Sequence, residues 1–221
     1  LEFIKSKNYI KERLDKIPRY NTLREKEALL IFEDSSLIEI FNVLCPDSKV
    51  IPDNEIEAGA FILKSREESV SDLIEGFHEC SCGVINDFSV EIESLFNFEI
   101  KSNIPIGLFE KVEDIINNTD VLTVKEYNIL LDEIIENNNK ILSITIDTKC
   151  RSCGKSIKSS LNPSNYISRS SIAGIYDEYF TLSFYTNLTK KDIDEMYPFE
   201  REIFIGLLKK KLEQNPQSTL K

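Results

Sequence analysis

Two short cysteine pairs constrain this chain more than any other feature: Cys80-Ser81-Cys82-Gly83 and Cys150-Arg151-Ser152-Cys153-Gly154. Each ends in glycine, and each lies between segments that alternate apolar and polar residues as strands do. Glycine lets the backbone turn so that amides can face the sulfurs. Thiolates converging from two such knuckles match the tetrahedral four-sulfur set of a structural zinc. The pattern predicts that Cys80, Cys82, Cys150 and Cys153 hold one Zn2+ in a zinc-ribbon-like region. Such ligation would contribute folding free energy on the order of 10 kcal/mol at neutral pH. A redox role and unligated thiols are the competing readings of the same four residues. His78 is the sole histidine. It shares a strand face with Cys80 and is a candidate substitute ligand; its plainer reading is a partly exposed strand residue. Cys45 follows an apolar helix and reads as a buried thiol.

The chain has 221 residues, enough for one large domain or two small ones. Hydrophobic residues make up 41% of it, with 13 Phe and no Trp, which suffices for a core and excludes global disorder. The net charge of −11 disfavours nucleic acid as a partner. Basic residues gather only around the second knuckle (Lys149, Arg151, Lys155, Lys158) and at Lys209 to Lys211. No apolar run approaches the ~20 residues of a membrane span. No signal-peptide pattern opens the chain. The five cysteines, four of them paired closely in sequence, do not resemble a secreted disulfide framework. The expectation is a soluble protein of a reducing compartment.

The fold class predicted is α+β: helical N- and C-terminal parts around a small central β region that carries the four-cysteine site. Residues 1–69 read as helical, 70–161 as the zinc-ribbon-like β region, 162–214 as helical again, and 215–221 as a frayed tail. In the first part, Thr22 and Glu25 read as a capping box, Ser36 as a helix restart, and Asn54 as the cap of a further helix. In the middle, Leu73 to Glu79, Val84 to Leu95 and Leu142 to Ile146 read as strands beside the knuckles, and Phe98 to Ile104 as another. A helical insertion covers about 105–139, with Tyr127, Leu130, Leu131, Ile134 and Ile135 as its apolar stripe. In the last part, Ile172, Ile175, Tyr179, Leu182 and Tyr185 form a stripe, and Thr189 with Asp192 a capping box. A final helix from Pro198 is expected to point Phe199, Ile203, Leu207 and Leu208 inward. Glu178 and Asp194 read as solvated.

Catalytic signatures are missing from the sequence: there is no P-loop, no nucleophile elbow and no HExxH. A closed four-sulfur site holds a fold and does no chemistry, so the expectation is a non-enzyme.

Several stretches together resemble the T-even-type bacteriophage baseplate hub assembly family, also met as tail assembly proteins. Residues 18–31 are similar to its opening, with Thr22, Arg24, Glu25, Leu29 and Leu30. Residues 59–69 resemble its helix closing on R-x-x-S before strands and a cysteine pair. Cys150 to Gly154 matches its C-x-x-C-G, and Asn162 to Tyr166 follows as in the family. Asn187-Leu188-Thr189 and the stretch Ile193 to Ile205 resemble its close. At the first knuckle the family has C-x-x-C where this chain has C-x-C. The resemblance implies no catalytic residues. It implies a phage tail protein that assembles or forms part of the baseplate hub through contacts with other tail or hub proteins. Its place would be the host cytoplasm during assembly, with the virion baseplate as a further location. The alternative function is a zinc-ribbon nucleic-acid-binding phage regulator, supported by the basic residues around Cys150.

Overall fold

A computed structural model describes residues 13–95, 129, 132, 145–160 and 166–214. The protein is a mixture of helices and two small sheets. Its helices with defined bounds are α1 (Thr22–Ile31), α2 (Leu37–Leu44), α3 (Glu55–Ser69), α4 (Ile92–Leu95), α5 (Ile172–Tyr185), α6 (Lys190–Glu195) and α7 (Pro198–Gln214). The strands are β1 (Leu73–Glu79), β2 (Ile85–Glu91), β3 (Thr145–Lys149) and β4 (Ser156–Ser160). The expected strand at Phe98 to Ile104, the first helix up to residue 12 and the tail from 215 lie outside the described residues, as does the insertion except Ile129 and Asp132, which are helical.

Local capping starts most helices where the sequence places them. Ser36 and Glu39 form a reciprocal capping box at α2, and Thr189 and Asp192 do so at α6. Asn54 accepts from the amides of Ile56 and Glu57 and opens α3. The first helix differs. Asn21 caps α1, with its side chain accepting from Arg24 N. Thr22 and Glu25 are instead buried and bonded across the molecule.

α3 is the central helix. Ala58, Ala60, Phe61, Ile62 and Leu63 are all buried, and Phe61 packs on Phe41 of α2 with ring centroids 5.5 Å apart. Arg66, 1% exposed, donates from Nη1 to the carbonyls of Ser71 and Leu73 and so holds the turn into β1. Cys45 is buried as expected, with its sulfur 3.3 Å from Ser65 Oγ, and burial pushes its thiol up to about 11. The core also takes in Ile74, Ile92, Ile146, Tyr166 and Ile167, so residues from all three parts of the chain share it.

Each sheet is a two-stranded antiparallel hairpin. β1 and β2 pair from Leu73↔Glu91 to Glu79↔Ile85, and β3 and β4 from Thr145↔Ser160 to Lys149↔Ser156. A cysteine knuckle is the turn of each hairpin. In β2 the inward positions are Asn86, Phe88 and Val90, while Ile85 faces solvent. Gly76 lies opposite Phe88, whose ring covers it; a Cβ there would stand 2.3 Å from Cζ. The strand expected to run to Leu95 stops at Glu91. The amide of Ile92 turns back to the carbonyl of Asp72, and the short helix α4 begins there.

The two helical parts pack on one another. Arg201, at the start of α7, is 2% exposed. Its Nη1 donates to Thr22 Oγ1 and Glu25 Oε2, both at 2.8 Å, and its Nε donates to Glu178. Ser168 donates to the other oxygen of Glu25. The amide and hydroxyl of Thr22 both donate to Met196 O. Lys26 meets Asp194 at 3.3 Å and stands 5.0 Å from the Tyr179 ring centroid. Glu178 and Asp194, expected to be solvated, are thus partners in long-range ties. The helix end also differs from expectation: Ile203 and Leu207 face solvent, because the buried side of α7 is set by Pro198 and Arg201 and by Ile205.

Candidate metal centre

The two hairpin tips meet. Sγ of Cys80 lies 3.7 Å from that of Cys153, and Sγ of Cys82 lies 3.7 Å from that of Cys150. All four sulfurs fall within 4.8 Å of one another, a group able to hold a metal ion. These separations are far beyond the ~2.05 Å of a disulfide, and all five cysteines are free thiols. Cys80 and Cys150 are buried, while Cys82 and Cys153 are exposed at the rim. His78 stands in β1 opposite Asn86 and is not part of this group.

Local backbone geometry aims the sulfurs. The amide of Cys80 donates to Val84 O and that of Gly83 to Cys80 O; in the second knuckle Cys150 N donates to Lys155 O and Gly154 N to Cys150 O. These tight turns need a left-handed residue, and Gly83 (φ +80°) and Gly154 (φ +69°) supply it. An added Cβ would meet nothing at either position, so the glycines are required by conformation rather than by space.

The same turns point amides at sulfur. The Cys153 and Ser152 amides face Cys150 and bring its thiol down to about 6, with the amide of Ser152 at 3.4 Å. The Cys82 amide does the same for Cys80, whose thiol lies below its ordinary value. The Val84 amide lowers Cys82, but partial desolvation at the knuckle junction and hydrogen bonds with Cys150, Cys80 and Cys153 outweigh it and push Cys82 up to about 11. Hydrogen bonds to a thiolate favour the charged form, which is the form that ligates metals.

One residue of the site escapes a cysteine-centred reading. Asn86, only 5% exposed, bridges the two knuckles from the start of β2. Its Nδ2 donates to Val84 O at 2.9 Å and to Cys150 Sγ at 3.7 Å, and its Oδ1 accepts from Arg151 N at 3.0 Å. The only sequence hint is the inversion at Ile85-Asn86, where the polar residue takes the inward phase of the strand. Beside the tips, Val84 and Ile157 complete a small apolar cluster with Cys80 and Cys150, separate from the main core.

Arg151, Lys155 and Lys158, three of the four basic residues around the second knuckle, have nearby partners. Arg151 lies 3.8 Å from Asp87, Lys158 lies 3.8 Å from Asp147, and Lys155 reaches Ser81 Oγ.

No family model, curated protein or solved structure matches this chain. The functional reading therefore rests on the site and on the sequence pattern. Among the described residues, no helix is long and apolar enough to cross a membrane.

Proposed function

We propose that the four cysteines hold one structural zinc in a ribbon-like junction, and that the protein is a non-enzymatic component of phage baseplate hub assembly. The carrying observation is the closed quartet of sulfurs. A tetrahedral site with Zn–S bonds of about 2.3 Å has S–S edges of about 3.8 Å, and two edges here measure 3.7 Å. Four sulfurs fill the coordination of zinc and leave no position for substrate or water. The metal would then join two hairpins that are distant in sequence.

The phage reading is supported by the ordered resemblance of residues 18–31, 59–69 and 187–205 to the hub assembly family. An assembly role is further supported by exposed aromatic surface on α5, where Phe180 is 68% and Phe184 61% exposed and their rings stack. The nucleic-acid alternative has less support, since Asp87 and Asp147 stand beside the basic groups of the second knuckle.

Two measurements test this. Elemental analysis of protein purified without chelator should give one zinc per chain, with the four thiols protected from alkylation. Co-expression with the tail genes of the source phage should co-purify hub subunits, and Phe180→Asp with Phe184→Asp should release them. Zinc-free, fully folded protein with four reactive thiols would overturn the metal assignment. Co-purification of nucleic acid in place of tail subunits would overturn the assembly assignment.

A further inference from the structure

α7 has a narrow buried face and an apolar solvent face. Pro198 and Arg201 are buried, and Ile205 packs toward Ile175, Tyr179, Leu182 and Ile193. About a quarter turn away, Glu200, Phe204, Leu207 and Lys211 line up at i, i+4, i+7 and i+11. Phe204 is 43% exposed and Leu207 58%, with Ile203 next to them at 55%. These are large apolar groups left in water along one helix.

The order of charges on this stripe selects its occupant. From its N-terminal end it runs acid, aromatic, aliphatic, base. A second α7 laid antiparallel, with the two-fold axis between residues 205 and 206, sets Glu200 against Lys211 and Phe204 against Leu207, each twice. A parallel pair would instead stack Glu200 on Glu200 and Lys211 on Lys211. The spacing is the alternation of a and d positions in a coiled-coil seam.

We infer that α7 is a self-association surface, through which two copies of this chain pair antiparallel as a two-fold homodimer. The pairing depends neither on the metal nor on the phage assignment. The twelve residues from Glu200 to Lys211 span about 16 Å, which is short for a permanent interface, so the dimer is weak and concentration-dependent.

Sedimentation velocity on the full chain, from low-micromolar to sub-millimolar concentration, tests it. The wild type should pass from monomer to dimer. Leu207→Asp should abolish the dimer. Glu200→Lys and Lys211→Glu should each weaken it roughly tenfold, because each turns two attractive contacts repulsive. An equimolar mixture of those two charge variants should form the heterodimer, and the double variant should again form a homodimer. The Glu200 carboxylate also accepts from Tyr197 N, so circular dichroism must show the variant folded; Lys211→Glu is far from that bond and stands as its control. A wild type that stays monomeric at every concentration would overturn the inference. So would a dimer indifferent to both reversals, which would put the contact elsewhere, for instance on the α5 aromatics. Folded charge variants that fail to associate on mixing would also overturn it.

Discussion

The buried node at Arg201 offers the most direct test of how this fold closes. Arg201→Met keeps most of the side-chain volume and removes the charge. It leaves the Glu25 carboxylate, on a residue only 1% exposed, with Ser168 as its remaining side-chain hydrogen-bond donor among the described residues. It also removes the donor 2.8 Å from Thr22 Oγ1. Breaking a buried ion pair from one side costs about 3–5 kcal/mol, because the other charge stays desolvated. For a chain of this size that corresponds to a loss of roughly 6–20 °C in Tm. Adding Glu25→Gln should return much of the loss, with a coupling of at least about 2 kcal/mol in the double-mutant cycle. The pH dependence has a definite sign. Burial holds the Glu25 carboxyl above its ordinary value even against Arg201 and Ser168, and losing Arg201 raises it further. A carboxyl raised in the folded state lends stability below its unfolded pKa of about 4.3 and loses it as pH rises through the folded value. The deficit of Arg201→Met should therefore be smallest in acid and grow toward neutrality. The assay is chemical denaturation at several pH values, with metal content held constant. A loss under about 1 kcal/mol at neutral pH, or strictly additive single mutants, would refute a closure that depends on this pair.

Other perturbations address the junction and the first hairpin. Asn86→Ala should weaken zinc binding about 10–100-fold in chelator competition, since it removes an ordering bond and a donor to Cys150; unchanged affinity would show that the backbone amides suffice. Cys80→Ser with Cys82→Ser should lose the metal and raise hydrogen exchange at residues 76–88 and 145–160. The exchange of α3 should change little, because the knuckle cluster is separate from the main core; equal loss of protection in α3 would contradict that separation. Gly76→Ala should cost about 1–3 kcal/mol by displacing the Phe88 ring that covers the glycine, and a neutral result in thermal unfolding would show that the ring moves freely.

The features legible in the sequence are those whose partners lie within a few residues. The knuckles could be read because Cys, Cys and Gly in one tight turn have few other uses. The caps at Ser36, Asn54 and Thr189 could be read because a capping bond closes within three residues. Alternation in β1 and β2 announced the first hairpin, though not the point at which Ile92 leaves it.

Thr22 and Glu25 show where local reading stops. Their spacing is that of a capping box, yet Asn21 takes the cap. Both side chains turn inward, because Arg201 arrives from the far end of the chain and satisfies them. Arg201 itself sits in a charged, helical stretch that looks solvated, and Asn86 looks like an ordinary polar strand residue. Sequence alone determined which short turns form and which sulfurs were available. Only the tertiary structure decided that the two knuckles face each other, that Asn86 bridges them, and that an arginine at the start of α7 closes onto α1. The physical reason is range. A turn or cap is selected by steric and hydrogen-bond geometry within one helical turn, whereas a buried polar partner is selected by which distant group remains to satisfy it once the apolar faces have packed.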